Sequence, residues 1–180
     1  PVNFEVKPIH QETVPGGVTP EQRTALLLQV ENLRGLVSAA SSQINDLKAQ
    51  LSSYRMAMDR SPAVAVELES VFNQLRQAVF AAEEVLIGQS SRQGMGASPA
   101  NVTSRLFMIE FARANTWGLT DTQKQQIVYV QESLEKLQPQ LDQMRQVEFP
   151  AFRQSLLEAG APWMPEGLMK GISDDRVEID

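Results

Sequence analysis

Cysteine is absent from this chain of 180 residues, and aromatic residues make up only 6% of it. The absence of cysteine excludes disulfides, thiolate metal sites and cysteine nucleophiles, but it does not fix the cellular compartment. Because aromatic residues are few, the core has to be built from Leu, Val, Ile, Ala and Met. That composition is typical of helix-on-helix packing rather than of a β-sandwich.

Histidine occurs once, at His10, and basic residues are outnumbered by acidic ones, 16 against 22. Carboxylate-bridged metal pairs in helical bundles need Glu-x-x-His on two helices, so one histidine excludes them. A histidine without a recognisable partner also supports no catalytic triad. We therefore expect no enzymatic activity, no cofactor, and no catalytic, cofactor-binding or metal-binding residue.

Two classes of partner are opposed by what the chain lacks. The formal net charge of −6 and the absence of a run of Lys and Arg oppose nucleic-acid binding, which needs clustered positive charge. No window reaches about 18 consecutive apolar residues, so no membrane span is predicted. Binding to a protein, including a homodimer formed by a second copy, remains open.

The stretch from Thr19 to Arg60 carries the strongest pattern in the sequence. Its apolar residues follow steps of four and three, which on an α-helix form one continuous apolar stripe. Thr19, Pro20 and Gln22 form a helix start with a capping box. At about 1.5 Å per residue this helix would reach roughly 60 Å, so other helices of the chain must cover its stripe. The members are Leu26, Val30, Leu33, Val37, Ala40, Ile44, Leu47, Leu51, Tyr54 and Met58.

Three further helices are predicted. The second runs from Ser61-Pro62 to about Ile87 and is closed by Gly88. The third is short and begins at Ser98-Pro99 or at Asn101, and the fourth begins at the capping box Thr120 to Gln123. The predicted buried positions are Val64, Leu68, Val71, Leu75, Ala78, Ala82 and Val85, then Val102, Leu106, Ile109 and Phe111 or Ala112, then Ile127, Val130, Leu134, Leu137, Leu141 and Met144.

The fourth helix is expected to bend. Pro139 should kink it near Glu135, and Pro150 should break it again, because proline removes a backbone hydrogen bond. The apolar phase also slips where Glu148 takes the next position of the stripe and Phe149 follows it. After that break Phe152, Leu156 and Leu157 continue a helical segment to Gly160. The fold class is thus all-α: an antiparallel four-helix bundle with long first and fourth helices, the fourth kinked, and short terminal strand segments.

Several residues outside the stripes could have a functional role, but we interpret each of them structurally. The acidic residues Glu67, Glu69, Glu83, Glu84 and Glu110 are expected on solvated faces, and Gly94-Met95-Gly96 is a flexible turn rather than a phosphate loop. Asp174, Asp175, Glu178 and Asp180 form an acidic end rather than a calcium loop. Leu27, Leu36, Phe72 and Phe80 are expected to widen the stripes toward a second neighbouring helix, and the alternative is a docking face for another domain. Trp163 is expected to cover the end of the bundle, and the alternative is contact with a neighbouring domain.

Two segments resemble a known family. The first is the Gly-containing loop after Leu86, followed by Ser98-Pro99, Val102 to Leu106 and Gly118-Leu119-Thr120, and the second is Glu148 to Arg153 with Gly160-Ala161-Pro162. Both are similar to the C-terminal helical region of bacterial sortilin-like proteins with BNR (Asp-box) propellers, although the family commonly has Asn where this chain has Arg153. Phe4 to Pro8 resembles the last strand of the β-sandwich that precedes those helices. No Asp box occurs here.

The resemblance implies a domain organisation and a function. Residues 1–18 would be a strand and loop that end a preceding β-domain, 19–160 the helical bundle, and 161–180 a tail. The chain would be the non-catalytic C-terminal module of a larger secreted or periplasmic protein, serving domain packing or protein–protein interaction. The alternative is a free-standing ligand-sensing bundle that binds small molecules near the linker from Gly88 to Asn101 or near Pro139.

Overall fold

The computed structural model describes residues 19–60, 62–88, 100–111 and 120–161. All regular structure in these ranges is helical, which confirms the all-α prediction for them. The predicted terminal strand segments, His10, the Gly94 turn, Trp163 and the acidic end lie outside the described residues. The elements are α1 (Pro20–Asp59), α2 (Pro62–Ile87), α3 (Val102–Phe111), α4 (Asp121–Gln143), a π-helical turn (Met144–Glu148) and α5 (Phe149–Glu158).

The predicted capping boxes of α1 and α4 are present, whereas Ser61, the predicted N-cap of α2, lies outside the described residues. At α1 the Gln22 N–H donates to the Thr19 hydroxyl at 3.2 Å, and the Thr19 N–H donates to Gln22 Oε1 at 2.9 Å. The same reciprocal pair opens α4 at Thr120 and Gln123. Each capping box satisfies two of the backbone N–H groups that a helix start leaves without partners. For α3 the cap is Asn101 rather than Ser98-Pro99, because the Ser104 N–H donates to Asn101 Oδ1 at 2.8 Å.

The apolar stripes of α1 and α4 are buried as predicted. In α1 every predicted member except the half-buried Leu26 is buried, with Ile44 and Leu47 each only 1% exposed. All of the positions predicted for the fourth helix are buried, from Ile127 in α4 to Met144 at the start of the π-helical turn. A stripe with steps of four and three therefore determines which face of these helices is buried.

The stripe predicted for α2 is confirmed at Leu75 and Ala82 and wrong at Val71 and Val85, while Leu68 and Ala78 are half-buried and the side chain of Val64 lies outside the described residues. Val71 and Val85 are 41% and 45% exposed, and the buried residues are Phe72, Leu75, Val79, Ala82 and Leu86. Both frames repeat every seven residues and share Leu75 and Ala82, so spacing alone does not separate them. The frame found in the structure buries the larger side chains, and apolar burial grows with area. Phe80 follows neither frame and is half exposed.

A π-helical turn between α4 and α5 resolves the phase slip. The Phe149 N–H donates to the Met144 carbonyl, which inserts one extra residue and places Phe149, rather than Glu148, in the core at 1% exposure. The second break predicted at Pro150 is therefore replaced by this turn, since helical backbone continues on both sides of it. Pro150 lies in the first turn of α5, where its missing N–H is tolerated. The α-helix α4 continues through Pro139, and the kink near Glu135 stays a prediction.

The end of α5 is fixed by Gly160. Its φ of +77° lies in the left-handed region, and the N–H groups of Gly160 and Ala161 donate to the carbonyls of Leu157 and Leu156, both at 3.0 Å. This pair of bonds is a Schellman motif, which satisfies carbonyls that the helix end would leave free. Leu156 is fully buried, as predicted. Leu157 was also predicted to continue the apolar stripe, but it is 47% exposed and lies outside the core.

The chain divides into two compact units, which we describe separately. Unit 1 contains residues 1–39 and 85–136, and unit 2 contains residues 40–84 and 137–180. In unit 2, Lys48 pairs with Glu83 and Arg55 pairs with Glu69. Between these two pairs the residue number on α2 falls as the residue number on α1 rises.

The other helical pair of unit 2 runs in one direction. Gln138 donates to the side chain of Gln43 at 3.2 Å, and the Tyr54 hydroxyl donates to the Phe149 carbonyl at 3.1 Å. Both numbers rise together, so the end of α4 and the start of α5 run parallel to α1. These contacts concern unit 2 alone, and the antiparallel arrangement expected of the four-helix bundle stays a prediction.

Candidate functional site

An open groove lies between α1 and α2 in unit 2. Its volume is about 420 Å³, and it lies between one face of each helix. On α1 the lining positions are three and four residues apart, and so are most of those on α2, which is the spacing of a single helical face. The lining residues are Lys48, Leu51, Ser52, Arg55, Met56, Glu69, Phe72, Asn73, Arg76 and Phe80.

The floor of the groove belongs to an aromatic cluster. Phe72 is 4% exposed, and its ring centroid lies 6.1 Å from that of Phe152. Tyr54 packs against Phe152 at 5.4 Å and against Phe149 at 5.8 Å. Four of the few aromatic residues of this chain therefore meet in one place, and together they bury a large apolar area in unit 2. The sequence pattern did not predict the cluster.

Burial changes the acidity of Tyr54. Desolvation raises the pKa of its hydroxyl to about 12, and the nearby positive charge of Arg153 opposes this shift. The neutral hydroxyl donates to the Phe149 carbonyl at 3.1 Å, so it carries the proton needed for that bond. Tyr54 is therefore a structural donor in the core beneath the groove rather than an acid–base group.

Arg55 is held at one side of the groove by carboxylates. Its Nη1 contacts both carboxylate oxygens of Glu69, at 3.0 and 3.1 Å, and its Nε contacts Asp59 Oδ1 at 3.0 Å. Asn73 also donates to Glu69 at 3.2 Å. The guanidinium carbon lies 5.9 Å from the Phe72 ring centroid, within range of a cation–π contact. These partners fix Arg55 in place and neutralise most of its charge.

Lys48 and Phe80 lie at the other end of the groove. The Lys48 ammonium contacts Glu83 Oε1 at 2.7 Å and lies 5.9 Å from the centroid of the Phe80 ring. Phe80 is 50% exposed, and Met56 across the groove is 52% exposed. Because about half of each of these apolar side chains is exposed to solvent, a bound partner could bury the remaining apolar area.

Arg76 is different from the other two cations of the groove. It is exposed and lies on α2 four residues after Phe72 and four before Phe80. No hydrogen bond or ion pair joins it to any residue of the described ranges. Its guanidinium is the basic group of the groove whose donors are available, and five N–H donors in a planar fork suit a carboxylate.

The acidic residues that the sequence placed on solvated faces are more engaged than predicted. Glu83 pairs with Lys48, Glu69 with Arg55, and the Arg34 guanidinium lies 3.7 Å from Glu110 Oε1 in unit 1. The side chains of Glu83 and Glu110 are only 24% and 26% exposed. Spacing on one helix could not reveal these partners, because each basic group comes from another helix. Within the described ranges, no group of three His, Asp or Glu residues is placed to hold a metal ion.

The linker predicted as a sensing site is bounded in unit 1 by a hydrogen-bonded junction. Asn101 Nδ2 donates to the Ile87 carbonyl at 2.7 Å, and the Thr103 hydroxyl donates to the Leu86 carbonyl at 2.8 Å. Asn101 thus caps the start of α3 and also satisfies the end of α2. Gly88, with φ of +86°, leaves room for it. The polar groups at this junction are used by the backbone, and residues 89–99 lie outside the described residues.

No family model matches this chain, and neither does a curated protein or a solved structure. The resemblance to sortilin-like proteins therefore stays a prediction. Among the described helices none is both long and apolar enough to cross a membrane.

Proposed function

We propose that this chain is a non-catalytic helical module that binds another protein, or another domain of a longer polypeptide, through its outer surface. The observation that carries the proposal is the set of large apolar side chains in water. In unit 1 Leu28, Phe107 and Met108 are 67%, 66% and 62% exposed. Phe107 and Met108 are neighbours on the short helix α3, and Val128 and Tyr129 are neighbouring exposed residues on α4.

The interior supports a binding role for the surface rather than for the core. In the described ranges the buried residues are all hydrophobic, and no polar or charged residue is buried. A small-molecule site inside a bundle needs a few convergent polar groups that orient the ligand. The unit 2 interior instead contains packed aromatic rings. This favours the interaction module over the ligand-sensing bundle, which we keep as the second candidate.

The location and the parent protein belong to the same proposal. The resemblance of residues 86–123 and 148–162 supports a C-terminal module of a secreted or periplasmic sortilin-like protein, packed on or extending from a β-rich domain. The net charge of −6 supports a protein rather than a nucleic acid as the partner. A bundle in which consecutive helices are antiparallel is the finer arrangement that we propose for α1 and α2.

Photo-crosslinking tests the module directly. A photoreactive amino acid is placed at Phe107 in the full chain, expressed in its source cell, and at Glu132, an exposed polar position of α4 in the same unit. We expect a discrete protein adduct from position 107 that position 132 does not give, because only the apolar position lies in an interface. Equal labelling from both positions, or no protein adduct from either, would contradict the proposal.

A thermal-shift screen against a metabolite library tests the second candidate. A specific ligand at a hundred times its dissociation constant adds about 2.7 kcal/mol of stability, which raises the melting temperature by several degrees. We expect no such shift. A metabolite that produces such a shift would favour the ligand-sensing bundle, with a site near the linker from Gly88 to Asn101 or near Pro139.

A further inference from the structure

We propose that the groove between α1 and α2 in unit 2 binds an acidic amphipathic helix of a partner protein, with Arg76 as the anchor for its carboxylates. This inference names the partner class for the proposed function and rests on it. The groove is a second surface, separate in sequence from the exposed apolar residues of α3.

One positive charge of the groove is left without a partner, in a chain whose net charge is −6. Three lining residues are basic, but Lys48 pairs with Glu83, and Arg55 pairs with both Glu69 and Asp59. Within the described ranges Arg76 therefore keeps an unpaired positive charge, which attracts an acidic partner and opposes a basic one. Charge complementarity therefore selects an acidic segment.

The state of each cation identifies the one that a partner would use. Arg55 is already held by the carboxylates of Glu69 and Asp59, and Lys48 is held by Glu83. Arg76 has no such partner within the described ranges. A partner carboxylate can therefore bind Arg76 without breaking an existing ion pair, and a guanidinium can donate two parallel hydrogen bonds to it.

The apolar part of the groove calls for an amphipathic partner. Phe80 on α2 and Met56 on α1 are each half exposed, while Phe72 and Leu51 below them are 4% and 6% exposed. A partner side chain placed on this floor would cover the rest of Phe80 and Met56, and the unbranched Met side chain can adapt to its shape. Apolar area together with a free arginine fits a segment that carries both apolar and acidic residues.

The shape of the groove favours a helix over a small molecule. Small-molecule sites enclose most of their ligand, whereas this groove is open to solvent along two helices. An amphipathic helix lies in such a groove with apolar anchors at i, i+3, i+4 and i+7. A nucleic acid would need several phosphate contacts, and one unpaired arginine does not supply them.

Fluorescence anisotropy with a defined probe tests the proposal. The probe is a labelled helical peptide of about four turns with Leu at i, i+3, i+4 and i+7 and Glu at the flanking positions. A second probe replaces every Glu by Lys. We expect the full chain to bind the acidic probe with a micromolar dissociation constant and the basic probe at least about tenfold more weakly, since each 1.4 kcal/mol changes affinity tenfold. Equal affinity for both probes would overturn the proposal.

Charge reversal at Arg76 locates the site. Arg76→Glu should weaken binding of the acidic probe about tenfold or more and should strengthen binding of the basic probe, because the carboxylate anchor is exchanged for its opposite. Arg145→Glu removes the same charge from an exposed position of unit 2 outside the groove, and it should change either affinity less than about threefold. If both reversals act alike, the effect is one of net charge and the proposal is wrong.

A pair of apolar substitutions distinguishes binding in the groove from non-specific hydrophobic binding of the probe. Phe80→Ala should weaken the acidic probe about tenfold, while Leu157→Ala, at nearly the same exposure in the same unit, should leave it unchanged. Far-UV circular dichroism and the melting temperature confirm that each variant is folded. A loss of binding in Leu157→Ala equal to that in Phe80→Ala would contradict the assignment of the groove.

Two other occupants give recognisable results. If the chain's own acidic residues 174–180 bind the groove, neutralising Asp174, Asp175, Glu178 and Asp180 will tighten binding of the probe, which overturns the choice of a partner protein. If a second copy binds there, light scattering will show a dimer that Arg76→Glu dissociates, with the same consequence. If the probe fails to bind while the crosslink at Phe107 persists, the inference fails and the proposed function stands.

Discussion

Replacing Tyr54 by Phe removes one hydroxyl from the core of unit 2 and leaves the ring in place. The ring keeps its packing against Phe149 and Phe152, so the change isolates the hydrogen bond to the Phe149 carbonyl at 3.1 Å. Because that carbonyl then loses a buried donor, we expect Tyr54→Phe to lower the free energy of unfolding by about 1 kcal/mol at neutral pH.

The stability difference between the wild-type protein and Tyr54→Phe should change with pH. Burial raises the pKa of Tyr54 to about 12 from an ordinary value near 10, so above pH 10 the unfolded chain releases a proton that the folded chain keeps. This stability is fully present below pH 10 and is lost as the pH rises toward 12. Linkage gives a loss of about 1.4 kcal/mol at pH 11. The Phe variant lacks this loss, so the two proteins should exchange their order of stability near that pH.

Urea unfolding followed by circular dichroism at several pH values between 7 and 11 measures the difference between the two proteins. Lysine titration affects both proteins alike and cancels in that difference. Tyrosinate absorbance provides an independent measurement, since the chain has only two tyrosines and Tyr129→Phe leaves Tyr54 as the single chromophore that titrates. A stability difference that stays constant from pH 7 to 11, or an ordinary midpoint for the remaining tyrosine, would refute the reasoning.

The remaining predictions concern stability and use matched pairs in urea unfolding. Gly88→Ala should destabilise by about 1–2 kcal/mol or more, since Gly88 has φ of +86° and a Cβ would meet Asn101 Nδ2 at 2.7 Å. Gly35→Ala should instead stabilise by about 0.5–1 kcal/mol, because nothing lies within 4 Å inside helix α1; equal effects at the two positions would contradict both assignments. Phe149→Ala should cost about 3–5 kcal/mol and Leu157→Ala less than about 1 kcal/mol, and a small effect at Phe149 would mean that the π-helical turn does not place it in the core.

The buried faces of α1 and α4 could be predicted because the pattern of each helix admits one frame only. In α1 polar residues stand on both sides of the stripe from Val30 to Met58, so rotating the helix would bury charge. The capping pairs at Thr19 and Thr120 depend on residues three apart in the chain, and local chemistry of this kind is visible in a sequence.

Other features depend on contacts that a sequence does not display. In α2 two apolar frames overlap, and the choice between Val71 and Phe72 is made by the helices that pack against it. The change in the phase of the apolar stripe at Glu148 was visible in the sequence. Either a π-helical turn or a helix break at Pro150 could produce it. The structure has the π-helical turn, which places the Phe149 ring in the core against Tyr54.

The groove could not be predicted from the sequence, because it also depends on contacts between helices. Phe80 could be placed near a stripe, but whether its ring faces a neighbour or water depends on how α1 and α2 are aligned. The availability of Arg76 becomes visible only once the partners of Arg55 and Lys48 are known. A cationic and aromatic face shared by two helices is spread over residues 48–80, and no single motif marks it.

Methyl NMR of methionine-labelled protein tests the central claim, that this chain binds partners on its surface and not in its interior. Met56 lies in the groove at 52% exposure, Met108 is exposed in unit 1, and Met58 and Met144 are buried at 0% and 3%. On addition of the acidic helical probe, we predict a shift of the Met56 signal with the signals of Met58, Met144 and Met108 unchanged. Shifts of Met58 and Met144 with Met56 unmoved would contradict the account.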